Sequence, residues 1–104
     1  MHRQTKATSI SSKTKAEVYA RDFRRCVLCG SIYAGPHCHF VRRSQGGLGI
    51  PENIWTGCQA CHEAFDSEAT DGPLHNQMRD YFRTLYPDWD ERNLKYRKDG
   101  PSAK

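Results

Sequence analysis

Two Cys-x-x-Cys pairs are the feature that most restricts how this chain can fold. Cys26 and Cys29 form the first pair, and Cys58 and Cys61 form the second. This spacing lets two thiolates reach one metal ion, and two such pairs supply the four sulfurs of a structural zinc site. A single pair is also compatible with a redox dithiol, whereas two pairs in one short chain favour zinc. We therefore predict that residues 26–66 form the core of the fold around one zinc ion.

The size of the chain makes a metal staple useful. Its 104 residues predict one domain, and a chain this short buries only a modest hydrophobic core. The unpaired fifth cysteine, Cys38, argues against a disulfide framework. The first residues contain no apolar run typical of a secretory signal, and no stretch approaches the ~20 apolar residues of a membrane span. We therefore expect a cytoplasmic protein with reduced thiols and no membrane partner.

Charge is distributed unevenly along the chain. Residues 1–43 carry nine Lys/Arg and two Asp/Glu, a net of +7, whereas residues 44–104 carry seven and ten, a net of −3. A basic front half is typical of a phosphate-binding surface, although a solvated basic segment gives the same count. Arg21, Arg24 and Arg25, near the end of the first predicted helix, are candidates for contact with DNA phosphates.

Hydrophobic spacing and turn residues predict the elements of one domain over residues 13–98. The polar, basic residues 1–12 predict a flexible arm, and residues 99–104 a frayed tail. A helix with an apolar face of Ala16, Tyr19 or Ala20, and Phe23 is expected from Ser11 or Ser12 to about Asp22. The other expected elements are strands over 36–41 and near 50–55, a helix from residue 57 or 58, and a C-terminal helix over about 74–86.

Two pairs of side chains are expected to share a face. The two-residue period of a strand puts His37 and His39 on one face of residues 36–41 and Cys38 on the other. His62 and Asp66 are four residues apart on a predicted helix, so both can point at one ion. His37 is expected to be a surface residue or to support a ligand rather than to be one.

Four strings of the sequence together resemble the HNH endonuclease family. They are RDFRRCVLCG, HFVRRSQGG, PENI and CQACHEAFD, which occur in that order within residues 13–66. The resemblance is to the small members of bacteriophages and mobile elements that carry two Cys-x-x-Cys pairs. It implies an α+β protein with the small ββα-metal (His-Me finger) nuclease fold, a structural zinc held by four cysteines, and flanking helices.

The resemblance also implies an activity, which is metal-dependent hydrolysis of DNA phosphodiester bonds by nicking or double-strand cutting. His39 matches the general base, His62 a ligand of the catalytic ion, and Asn53 the residue that fixes the hairpin loop and orients His39. The ion expected is Mg²⁺ or Mn²⁺, with Zn²⁺ as a further option. Arg42 and Arg43 follow the base and are expected to contact phosphates. The implied partner is double-stranded DNA, with a phage packaging protein or another protein as a further partner.

The departure from the family pattern is Cys38. Many members have Asp or His there as a ligand of the catalytic ion, and a thiol is a poor ligand for a hard ion such as Mg²⁺. Asp66 can supply the second ligand instead, or Cys38 can bind a softer ion. The third alternative is an inactive site, in which case the chain is a zinc-stapled module that binds nucleic acid or another protein.

Overall fold

A computed structural model describes residues 3–96, with side chains from Lys6 onward. The predicted tail over 99–104 lies outside the described residues. The chain has the expected α+β composition, with a two-stranded antiparallel sheet and helices on either side of it in sequence. The elements are α1 (Arg3–Thr8), α2 (Ser12–Arg21), β1 (Gly35–His39), β2 (Ile54–Gly57), α3 (Gln59–Ser67) and α4 (Pro73–Leu85), with 3-10 turns at Arg43–Gln45 and Glu91–Asn93.

Strands β1 and β2 pair in antiparallel register, with Cys38 opposite Trp55 and His39 opposite Ile54. The register is irregular between Gly35 and Cys38. The second strand begins later than the sequence predicts, because the backbone from Ile50 turns before it. The amide of Ile54 donates to the carbonyl of Ile50 over 3.1 Å, which closes that turn.

The hydrophobic core lies on one side of the sheet, between the strands and helices α3 and α4. Phe65 of α3 packs on Trp55 with ring centroids 5.1 Å apart. Met78 and Phe82 of α4 are fully buried, as the helical period predicts. Phe40 closes the cluster with its ring 5.8 Å from that of Phe65. All four residues of β2 are buried, whereas in β1 only Cys38 is buried.

Helix α2 begins as predicted but packs differently. Ser11 caps it by accepting a hydrogen bond from the amide of Thr14. Its buried residue is Val18, whereas Phe23 is 81 % exposed. The predicted apolar face was wrong because Phe23 lies beyond the end of the helix in a left-handed backbone conformation with φ of 59°.

Arg21 joins α2 to the sheet and is not a surface cation. It donates to the carbonyls of Pro51 and Ile54 over 2.7 and 2.8 Å and pairs with Asp22. Asp22 in turn accepts from the amide of Thr56. The prediction that Arg21 contacts phosphate therefore gives way to a structural role.

The start of the chain differs from the predicted flexible arm over 1–12. Arg3–Thr8 is helical, and Thr8 is only 1 % exposed. The amide of Gly49 donates to the carbonyl of Ala7 over 3.0 Å. Ala7 to Ser9 therefore lie against the loop that follows β1. Composition predicted a mobile arm because it carries no information on these contacts, which form with residues distant in sequence.

Glu68 caps helix α4 from outside the helix. Its carboxylate accepts from the amides of Leu74 and His75 over 3.3 and 2.7 Å, and from Nδ1 of His75 over 2.8 Å. Gly72, at the N-cap position, has no side chain to do this. Burial disfavours ionisation of Glu68, but these hydrogen bonds outweigh burial and lower its pKa.

Replacing Glu68 with glutamine is expected to destabilise the protein by about 1 kcal/mol at pH 7, a typical cost of losing a helix cap. Because the pKa of Glu68 is lower in the folded protein than the value of about 4.3 in the unfolded chain, its carboxylate stabilises the fold above that pH. This stabilisation is lost as the pH falls through the pKa of the folded state. The difference in the free energy of unfolding between Glu68→Gln and wild type, measured with urea, should therefore become smaller below about pH 4. Glu63→Gln, on the exposed face of α3, is the matched control, and an equal loss for both variants would contradict the capping role.

Candidate metal centre and active site

The four cysteines of the two pairs meet at one point. One sulfur from each of Cys26, Cys29, Cys58 and Cys61 lies within 4.8 Å of all the others. The sulfurs of Cys29 and Cys58 are 3.6 Å apart, too far for a disulfide. Four sulfurs bound to one zinc ion at about 2.3 Å are about 3.8 Å apart, so this spacing suits a tetrahedral ion. The cluster is therefore positioned to bind a metal ion such as zinc, as the sequence predicts.

Backbone amides point at two of these four sulfurs. Cys58 is the N-cap of α3, and its sulfur accepts from the amide of Cys61. The amide of Cys29 points at the sulfur of Cys26 in the same way. Burial disfavours the thiolate of Cys26, but neighbouring backbone amides outweigh it and lower its pKa to about 7. Gly30 permits the tight turn, because its φ of 82° is strained for any residue with a Cβ.

A second group of polar side chains lines an open concavity of about 300 Å³ bordered by β1, the loop after it and α3. His62 and Asp66 reach it from α3, with Nε2 and Oδ2 3.1 Å apart. The structure thus brings together the ligand pair that the helical spacing predicts. The lining residues are His37, His39, Arg42, Arg43, Ser44, His62 and Asp66.

Two other concavities, of about 420 and 570 Å³, lie around Trp89 and Asp90. They are larger, but no histidine or cysteine lines either of them. Volume alone therefore does not identify the candidate site, and the chemistry of the lining residues selects the smaller concavity.

His39 is held in one orientation by the start of the chain. Its Nε2 lies 3.1 Å from the backbone carbonyl oxygen of Thr8. A carbonyl only accepts, so Nε2 carries the proton and Nδ1 is left with a free lone pair. Burial lowers the pKa of His39, and Arg43 and His62 act in the same direction against opposing effects of Thr8 and Asp66. The imidazole is therefore neutral near pH 7 and can accept a proton at Nδ1.

Asn53 is fully buried and acts on the loop that follows β1. Its Oδ1 accepts from the amide of Val41 over 2.8 Å. Its Nδ2 donates to the carbonyls of Val41 and Leu48 over 3.2 and 2.8 Å. The amide of Phe40, next to His39, also donates to the Asn53 carbonyl over 2.7 Å. These contacts are those of a positioning residue that pins the hairpin, and Asn53 does not line the concavity.

Cys38 is not among the residues lining the concavity. It is fully buried in the hydrophobic core, where it lies opposite Trp55 in the hairpin. Burial raises the pKa of its thiol to about 12. Its sulfur lies 3.8 Å from Nδ1 of His37, which lines the concavity. Burial disfavours the thiolate that would bind a metal ion, and a role for Cys38 as a ligand of the catalytic ion stays a prediction.

His37 lies at the surface, as the sequence predicts, and close to His62. It is exposed, lines the concavity, and its ring centroid lies 6.0 Å from that of His62. Partial desolvation of the ring by its neighbours lowers its pKa, and the charges of His62 and Lys15 add to that effect. The two-residue period of a strand predicted that His37 and His39 share a face, and both line the concavity.

The predicted phosphate-binding arginines fall into two sets. Arg42 and Arg43 line the concavity. Arg42 donates to the backbone carbonyl of Asp66, and Arg43 donates to the hydroxyls of Thr8 and Ser9. Arg24 and Arg25 are exposed at the end of α2 and are not among the lining residues.

Comparisons with protein-family models, with curated proteins and with solved structures each find no match for this chain. The family resemblance therefore stays a prediction that depends on the residues themselves. Over residues 3–96, no helix has both the length and the apolar composition needed to cross a bilayer.

The metal centre makes a direct prediction about binding stoichiometry. The purified protein should contain one zinc ion per chain, and a strong chelator should unfold it, because zinc binding by such sites contributes on the order of 10 kcal/mol. Cys61→Ser should lose the ion and the folded state. Cys38→Ala, which removes a thiol from the core instead, should keep one zinc and lose about 1 kcal/mol of stability. Metal analysis and thermal unfolding test this, and loss of zinc from Cys38→Ala would contradict it.

Proposed function

We propose that the protein is a metal-dependent DNA endonuclease of the HNH type. The observation that carries the proposal is that His39, His62 and Asp66 line the same small concavity, with Arg42 and Arg43 beside them. This combines a neutral base, a pair of metal ligands and cations suited to phosphate, which are the groups that hydrolysis of a phosphodiester requires.

The order of the elements supports the ββα-metal fold for this site. Two antiparallel strands are followed directly by a helix, and the concavity takes residues from β1, its loop and α3. The base comes from the hairpin and the ligand pair from the helix. A phosphate between hairpin and helix would therefore be reached from both sides.

In this mechanism, His39 accepts a proton at Nδ1 from a water molecule. The resulting hydroxide attacks the phosphorus, the bond to the 3′ oxygen breaks, and that oxygen takes up a proton from solvent. The products carry a 5′-phosphate and a 3′-hydroxyl. A divalent ion held by His62 and Asp66 would stabilise the charge that develops on the phosphate and on the leaving oxygen.

The ligand pair fits a hydrated divalent ion. One imidazole and one carboxylate leave the remaining positions to water and phosphate oxygens, which is how Mg²⁺ and Mn²⁺ usually bind in phosphoryl-transfer sites. Both side chains are about one-third exposed, at 32 % and 39 %. We therefore propose Mg²⁺ or Mn²⁺ as the catalytic ion, separate from the zinc at the four cysteines.

Double-stranded DNA is the proposed substrate. The basic half of the chain contributes Lys15, Arg42 and Arg43 near the concavity, and charges of this kind bind the phosphate backbone without reading its sequence. Weak sequence preference, or guidance by a partner protein, would follow from this surface.

A second candidate function is a zinc-stapled module with an inactive site that binds nucleic acid or a protein. One observation favours it. Among the residues that the structure describes, only the four cysteines form a close group of three or more potential metal ligands. This alternative predicts salt-sensitive DNA binding without turnover.

The decisive experiment is a nicking assay on supercoiled plasmid with Mg²⁺ or Mn²⁺. His39→Ala should lower the rate by about 10² to 10⁴, the usual contribution of a general base. EDTA should abolish nicking, and chelation conditions that spare the zinc should be confirmed by metal analysis. Unchanged nicking by a folded His39→Ala protein would refute the proposed mechanism, and no nicking by wild type would favour the inactive module.

DNA affinity should respond to Arg42 through salt. Arg42→Ala should reduce the slope of log K against log salt concentration by about one, the value for one lost phosphate contact. Arg83→Ala is the matched control, because Arg83 is 58 % exposed on α4 and does not line the concavity. Titration of a labelled duplex at several salt concentrations measures both, and equal slopes for wild type and Arg42→Ala would exclude the contact.

A further inference from the structure

The short segment Ala7–Ser9 contacts the site although it lies before the first cysteine pair in the sequence. Its central residue, Thr8, is 1 % exposed and presents its backbone carbonyl to Nε2 of His39. We infer that this segment is a positioning element for His39, which it holds in the Nε2–H tautomer with Nδ1 directed to the substrate. The inference rests on the proposed function, in which His39 is the general base.

Three contacts fix the segment to the loop after β1. The amide of Gly49 donates to the carbonyl of Ala7 over 3.0 Å. Arg43 donates from Nε to the hydroxyl of Thr8 over 3.1 Å and from Nη2 to that of Ser9 over 2.9 Å. Each residue of the segment is therefore tied to the loop that borders the concavity.

Gly49 is what allows the segment to lie so close. A Cβ at this position would stand 2.1 Å from the backbone oxygen of Ser9 and 2.6 Å from its carbonyl carbon. These are backbone atoms, so a larger residue would displace the segment itself. The requirement for glycine at 49 is a second sign that the packing of this segment is specific.

The chemical consequence concerns which nitrogen of His39 is basic. An imidazole with no fixed partner exchanges between two tautomers and several ring orientations. The Thr8 carbonyl selects one tautomer and one ring orientation, so the lone pair at Nδ1 is already in place when water binds. Arg43 then acts on the base through the segment, in addition to any phosphate it contacts.

The alternative is that the segment only stabilises the fold. That role would lower the melting temperature without changing the tautomer of His39 or the balance between kcat and KM. Nitrogen-15 NMR of the histidine ring reports the tautomer directly, without substrate. It therefore separates the two roles even where nicking is absent.

The first test is Gly49→Ala in the full chain. His39 should be the Nε2–H tautomer in wild type and a mixture of tautomers in the variant. The kcat for nicking should fall about 10²-fold, as for a misplaced catalytic group, with KM for DNA changed far less. An Nδ1–H tautomer in wild type, or wild-type ring shifts and kcat in Gly49→Ala, would overturn the inference.

A milder variant covers the case in which Gly49→Ala does not fold. Thr8→Val keeps the shape of the side chain but removes the hydroxyl that Arg43 binds, and Thr8→Ser restores it. The first should shift the tautomer balance and lower kcat, and the second should recover both. Thr84→Val, which removes an exposed hydroxyl on α4, is the control. A Thr8→Val protein with the ring shifts and kcat of that control would also overturn the inference.

The two proposals fail in different ways. If the tautomer of His39 depends on the segment but the protein does not nick DNA, the nuclease proposal fails and the positioning of His39 by the segment stands. Nicking that needs His39 but is insensitive to Gly49 and Thr8 would keep the nuclease and exclude the positioning role.

Discussion

Convergence of four cysteine sulfurs on one point is the constraint on which the rest of the molecule depends. The first pair follows α2 and the second opens α3, so an ion shared by the four sulfurs would fix the start of α3 against the turn at residues 26–30. His62 follows the last of these cysteines directly, and Asp66 lies one helical turn further. An ion bound by the four cysteines would therefore also set the direction of that pair. A small domain is typically stable by about 5–15 kcal/mol, so an ion that contributes a similar amount dominates its stability.

The hairpin supplies the other half of the candidate site by dividing its side chains between two faces. Cys38 and Trp55 pack into the core, and His37 and His39 face the concavity. Asn53 locks the loop that follows with three side-chain hydrogen bonds inside the protein. The loop that follows His39 is thus held by Asn53, which does not line the concavity, whereas the ring of His39 is oriented by the carbonyl of Thr8.

The parts of this arrangement that were predictable from sequence are those fixed by short-range chemistry. Cysteine spacing, the Ser11 cap and the i, i+4 pair on α3 each depend on a few consecutive residues. The contact between Thr8 and His39 was not predictable, because a backbone carbonyl has no signature in the sequence and its partner is 31 residues away. Phe23 was misplaced for a related reason, since the helical period gives no warning of where the helix stops.

The burial of Cys38 has a practical consequence for thiol chemistry. A sequestered thiol with a raised pKa is inert towards alkylating reagents, which attack accessible thiolates. Any cysteine that reacts in the folded protein then belongs to the metal centre. Covalent labelling would therefore count opened centres directly, with no fifth thiol to confuse the result.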